Sequence, residues 1–182
     1  DRRQRQMCIR DRYIGMHKKV LTEQALYFGD VKMPKHWEID PNDLAQHILH
    51  SSLNNTELKF SRTWDKLDTY IRNYVGLKFN IKLVNKNRWG NIYKPNQTTI
   101  PLLNIDPVDL RNSPDFTMLY GVKVKDCFVR VHYDDNRRKG RSWDVELKNN
   151  MFLMFPSTNM YYITNNQKDD LNFIQTNTYE YL

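Results

Sequence analysis

The chain is 182 residues long, with 28 Lys and Arg against 21 Asp and Glu and a formal net charge of +7. No apolar run approaches the roughly 18 residues of a membrane-spanning helix, and six glycines with seven prolines are too few for a disordered or fibrous chain. Two cysteines, Cys8 and Cys127, cannot build a disulfide framework, while 40% hydrophobic and 13% aromatic residues supply enough material for a real core.

The basic excess is uneven. Residues 1–19 hold seven basic and two acidic side chains, which leaves 21 against 19 in the rest of the chain. Such an Arg-rich arm can bind phosphates; it is not a secretory signal, because no apolar stretch follows the charges. The run RRQRQMCIRDR looks like translated sequencing-adapter read-through. Residues 1–15 are therefore read as a non-native or disordered basic arm, and residues 16–182 as a single domain starting at Met16.

Residues 20–37 hold a short apolar stretch and a turn around Gly29 and Pro34. A helix follows, with Asp40 at N-cap, Pro41 at N1 and Asp43 in the first turn, where backbone N–H groups lack partners. Leu44, Ala45, Ile48, Leu49 and Leu53 are expected to form its buried stripe. Ser61 caps a second helix whose buried face is Trp64, Leu67, Ile71 and Tyr74, closed by Gly76. The helical part thus covers about 20–76.

After Gly76 the period falls to 2. Phe79, Ile81 and Leu83 alternate with polar residues as in a half-buried strand. Further strands are expected at 89–94, 98–104, 116–124, 126–133, 142–147, 151–155, 159–163 and 171–181. Many short strands after a helical start, without alternating helices, predict a mainly β, α+β fold with helices packed outside an antiparallel sandwich or barrel.

The order of pieces over about 77–182 resembles the double-stranded β-helix (a cupin-like jelly roll) of the 2-oxoglutarate- and iron(II)-dependent oxygenases. The residues that carry the resemblance are Trp89-Gly90-Asn91, Asn104-Ile105-Asp106, Leu119-Tyr120-Gly121-Val122, the loop Asp134–Arg141, Phe155-Pro156-Ser157, Tyr161-Tyr162-Ile163 and the strand Leu171–Leu182. The whole stretch also resembles proteins of tailed phages that infect marine cyanobacteria. The oxygenase resemblance implies an iron site of two imidazoles and one carboxylate, with an arginine for 2-oxoglutarate. Here Asn104 stands at the first histidine position, Asp106 at the carboxylate, Tyr161 at the distal histidine, and Asn172 or a neighbour at the arginine. Asn104, Asp106, Tyr161 and Asn172 are thus expected around a remnant of the metal centre.

Other chemistry is thinner. His132-Tyr133-Asp134 has H-x-D spacing but runs into a hairpin loop; His132 and Asp106 are the candidate metal ligands. His47 and His50 with Asp43 share the polar side of the first helix, and His36 sits in a loop. Cys127, alternating with Val129 and Val131, reads as packing. Ser157 lacks a nucleophile elbow or partner histidine. Arg137, Arg138, Lys139 and Arg141 form a basic loop that can contact phosphates or an acidic partner, partly neutralised by Asp134 and Asp135.

Three functions follow. The favoured one is a catalytically degenerate oxygenase-like jelly roll, phage-encoded and acting as a binding or assembly module on a phage or host protein, in the infected cell's cytoplasm or in the virion. The second is an active dioxygenase using Fe(II) and 2-oxoglutarate with non-standard ligands. The third is a nucleic-acid-associated protein working through the basic loop.

Overall fold

The computed structural model describes residues 19–20, 23–57, 61–134 and 140–182. The 1–15 arm, Met16, Cys8, Asp135 and the loop residues Arg137, Arg138 and Lys139 lie outside them.

Helix α1, Pro41–Asn54, starts as its caps dictate: the Asp40 carboxylate accepts the Asn42 N–H at 2.9 Å, and Asn55 ends it in the left-handed region. Its buried face is Leu44, Ala45, Ile48 and Ser51. Leu49 and Leu53, expected in that stripe, are exposed instead. At about 100° per residue they lie roughly 100° and 140° round from Ile48, past the edge of the packed face.

Helix α2, Arg62–Thr69, is capped by Ser61, whose hydroxyl accepts the Trp64 N–H at 3.0 Å. It does not close at Gly76. It continues as a π-helical segment, Tyr70–Val75, and a last turn, Gly76–Lys78. The wider turn moves the buried face from spacing 3 to spacing 4, so Val75 is buried under Ile71 and Tyr74 is exposed. Gly76 is helical; it is small because a Cβ there would meet the Ile81 carbonyl oxygen at 2.6 Å. The left-handed turn comes at Asn80, so the strand expected from Phe79 begins only at Leu83.

The described residues form eight strands, in chain order β1 Tyr27–Asp30, ahead of α1, then β2 Leu83–Tyr93, β3 Phe116–Lys123, β4 Cys127–Tyr133, β5 Arg141–Leu147, β6 Met151–Pro156, β7 Tyr161–Asn165 and β8 Asn172–Tyr181. β1 replaces the expected turn at Gly29, which pairs with Phe152; the turn lies at Pro34–Trp37. Residues 98–104, expected as a strand, make only the isolated bridges Thr98 to Thr164 and Leu102 to Tyr161, because Pro101 has no N–H to continue a ladder.

The strands form a five-stranded sheet, β1-β6-β3-β8-β2, and a three-stranded sheet, β5-β4-β7, all antiparallel. The order is non-sequential in both, as a jelly roll requires. One core lies between the sheets and includes Leu119, Val129, Leu147, Leu153, Phe155 and Ile174. A second lies between the large sheet and the helices, with Ile48, Leu67, Ile71, Met118, Phe152 and Met154. Strands β3 and β6 are covered on both faces, which explains the unbroken buried runs Thr117–Val122 and Met151–Phe155.

Candidate functional site

The open rim between the sheets is organised by the start of β7. Tyr161 stands opposite Val131 of β4 and is tied to Leu102 by two backbone hydrogen bonds. Two residues beyond Leu102, the Asn104 amide reaches into the rim. Its Nδ2 donates to the Tyr161 hydroxyl at 3.0 Å and to Thr117 Oγ1 at 3.1 Å, and Thr117 Oγ1 lies 2.9 Å from Ser157 Oγ. Tyr161, Thr117 and Ser157 are buried. Burial pushes the Tyr161 phenol up to about 12, against the smaller opposing pull of the Asn104 hydrogen bond. The phenol therefore stays neutral at physiological pH.

The other candidates lie elsewhere. Asp106 is exposed in the following turn, where its Oδ1 accepts the Val108 N–H at 2.9 Å and its own N–H goes to Ser113 Oγ at 2.8 Å. Asn172 is fully buried at the far end of β8. It accepts from Lys125 N at 2.9 Å and Gln167 Nε2 at 2.6 Å, and donates to Lys125 O at 3.1 Å. Thr117 pairs with Thr178, six residues along the strand from Asn172 and so about 20 Å away. His132 alternates with the inward-facing Val131 and lies on the outer face of the small sheet. Its ring packs edge-on to Tyr162 at 5.3 Å, with Nε2 buried and unpaired. Arg141 begins β5 opposite Tyr133. On α1, His47 Nδ1 donates to the Asp43 carbonyl at 2.8 Å.

Beneath the rim, the space between the sheets is filled. Phe155 packs edge-on against Tyr161 at 5.1 Å between ring centres, and Leu119, Leu153, Ile163 and Ile174 have no exposed surface. Cys127 sits among them as a packing residue, its thiol pushed up to about 12 by burial. Above the rim, a cavity of about 230 Å³ is bounded by Leu26, Val131, Tyr133, Trp143 and Asn159. Phe28 packs on Trp143 with ring centres 5.3 Å apart, and both rings are partly exposed.

A second polar group, not anticipated from the sequence, lies on the helix side of β8. Trp64 Nε1 and Gln175 Nε2 donate to Asn177 Oδ1, Asn177 Nδ2 donates to the Tyr179 hydroxyl, and Tyr179 donates to Asp68 Oδ1 at 3.1 Å. Arg72 Nε closes the chain on Asp68 Oδ2 at 2.6 Å. Burial raises the Asp68 carboxyl above its ordinary value, outweighing the opposing pull of Arg72 and Tyr179. The folded state then holds a proton the unfolded chain has already lost. The stability this gives is complete below the ordinary carboxylate value and disappears as pH rises through the folded one. Asp68→Asn has no such titration. In urea unfolding at stepped pH, its stability relative to the parent should increase from pH 3 through the carboxylate range and then level off; a relative decrease would reverse the assigned sign.

A Pseudomonas putida prolyl-4-hydroxylase superimposes with a TM-score of 0.60 at 10% identity, over 86% of this chain and 88% of that one. A viral collagen prolyl hydroxylase from Paramecium bursaria Chlorella virus-1, solved with 2OG, gives 0.59 at 12%, over 86% and 96%. The non-heme alpha-ketoglutarate-dependent epimerase SnoN of nogalamycin biosynthesis gives 0.59 at 10%, over 99% and 84%. The fold is the double-stranded β-helix of the 2-oxoglutarate/iron(II) oxygenases. No protein-family model and no curated protein sequence matches the chain.

At these identities the likeness is one of fold, and the side chains themselves decide whether a metal is held. Both N–H groups of the Asn104 amide are directed to Tyr161 and Thr117, the Tyr161 phenol is neutral, and the Asp106 carboxylate is engaged in its own turn. Among the described residues no three His, Cys, Asp or Glu side chains are grouped to hold a metal ion. Iron(II) prefers imidazole and carboxylate ligands with open positions, and this donor set does not fit it. Nor does any described helix have the length and apolarity to cross a membrane.

Proposed function

We propose that this chain is an oxygenase-fold protein that has lost oxygenase chemistry and serves as a binding or assembly module. The observation that carries the reading is the hydrogen bond from Asn104 to Tyr161, at positions where the resemblance calls for the two metal-binding histidines. An amide–phenol pair stabilises the rim without presenting an anionic or imidazole donor to a cation. The packed space below it supports the same reading, because a 2-oxoglutarate molecule there would have to displace side chains that have no exposed surface.

Binding would use the rim. A cavity of about 230 Å³ walled by Trp143, Tyr133 and Leu26 suits one apolar side chain of a partner protein, and exposed aromatic residues around such a pocket are typical anchors. The resemblance to phage proteins supports a phage or host protein as that partner, met in the infected cell or in the virion.

The test is anaerobic calorimetric titration of the chain with Fe(II) and with 2-oxoglutarate, separately and together, followed by metal analysis. We expect no saturable heat and no retained iron. Stoichiometric binding of iron that depends on 2-oxoglutarate would overturn the proposal and return the chain to the active dioxygenases.

A further inference from the structure

We propose a second ligand site, on the opposite face of the large sheet from the rim, that takes an apolar molecule ending in a carboxylate. The helices cover the β2, β8 and β3 side of this face, but the far end of β3 is roofed by the loop joining β1 to α1. Between loop and sheet lies a half-enclosed cavity of about 590 Å³, within the roughly 300–1,000 Å³ of small-molecule pockets. Its position separates it from the oxygenase-like end. Val122, in its floor, is five residues along β3 from Thr117, about 17 Å, and faces the helix side.

The lining defines the ligand chemistry. Val31, Met33, Ile39 and Val122 provide apolar walls, and two exposed lysines, Lys32 and Lys123, meet a single carboxylate, Glu38. The site therefore joins an apolar interior to a net positive edge, the complement of an amphipathic monoanion. Pro41 also lines it at the start of α1, but the Asp40 carboxylate already takes the Asn42 N–H, so the lysines carry the charge selection.

The roof is held without the ligand's help. Val31 N donates to Asn150 O and Asn150 Nδ2 to Val31 O, both at 2.9 Å. The Tyr120 hydroxyl donates to Asn150 Oδ1 at 2.7 Å, and Lys66 Nζ to the Glu38 carbonyl at 3.2 Å. Asn150, in the left-handed turn after β5, thus ties loop, turn and sheet floor together. A preformed cavity of this kind spends little affinity on ordering itself.

The experiment uses the full chain and decanoate below its micellar concentration, with decanol as the uncharged comparison, read by calorimetry and by backbone amide NMR shifts. The expected result is saturable 1:1 decanoate binding, at least tenfold tighter than decanol, with shifts centred on Val31, Tyr120 and Asn150. Lys32→Glu/Lys123→Glu should weaken decanoate at least tenfold and leave decanol unchanged, while Met33→Trp, which fills the cavity from the loop side, should weaken both. Absence of saturable decanoate binding, equal affinity for the two ligands, or indifference to the lysine reversals would overturn the proposal. None of these outcomes depends on iron, so the site stands or falls apart from the reading of the rim.

Discussion

Gly121→Ala is expected to lower the stability of the chain by about 3 kcal/mol, at or beyond the usual cost of overpacking. Gly121 lies near the end of β3, where the turn joining β5 to β6 folds directly over it. A Cβ at this position would lie 2.2 Å from the Lys148 carbonyl oxygen, 3.0 Å from its carbonyl carbon and 2.9 Å from a Val124 methyl. The obstacle is backbone, so no rotamer change relieves it. The turn is also fixed in place: Asn150 N donates to Gly121 O at 2.8 Å and Met151 N to Lys148 O at 3.2 Å. Moving it away breaks the bond to Gly121 and disturbs Asn150, which ties down the loop after β1. Urea unfolding of parent and variant measures the loss. Gly140→Ala, where a Cβ meets nothing within 4 Å, is the control and should stay within about 0.5 kcal/mol.

What could be read from the sequence was what is decided locally. Asp40 and Ser61 cap their helices through groups two and three residues away, and the alternation of Cys127, Val129 and Val131 needs only the pleat of one strand. Where a distant partner decides, local reading stops short. Gly76 reads as a helix end, yet the reason for it is the carbonyl of Ile81 arriving against the helix. Leu49 and Leu53 have the right polarity for the core, but they lie past the edge of the helix face that packs on the sheet. Asp68 and Tyr179 are 111 residues apart, and no pattern in either helix or strand points to their contact. The polar run Gln175–Thr178, in a strand flanked by Ile174 and Tyr179, is the sign of that buried group in the sequence.

The rim shows the same division. Asn104 and Tyr161 were brought together only by the order of motifs, because their spacing of 57 residues carries no periodic signal. Thr117 completes the group and was missed, although it shares its strand phase with the inward-facing Leu119. Asp106 and Asn172 have the expected side chains, yet one is held in an exposed turn and the other about 20 Å along β8. A motif places residues along the chain; the hydrogen-bond partners decide what each can still do.

Phe155→Ala probes that rim from below, and its expected cost is 3–5 kcal/mol, roughly the range for removing a fully buried phenyl group. Phe155 has no exposed surface, pairs with Thr117 across β3 and β6, and meets the Tyr161 ring edge-on at 5.1 Å. Truncation leaves a cavity walled mainly by apolar side chains of the inter-sheet core, such as Leu119 and Leu153. Added benzene should therefore raise the melting temperature of the variant and leave the parent unchanged. The size of the loss bears directly on function. If the inter-sheet space is a packed core, removing a buried ring that packs against Tyr161 must cost stability, and a cofactor cannot share that volume. A loss below about 1 kcal/mol would mean that the space is loosely filled and can open. The strongest support for a non-catalytic rim, after the Asn104–Tyr161 pair itself, would then be gone.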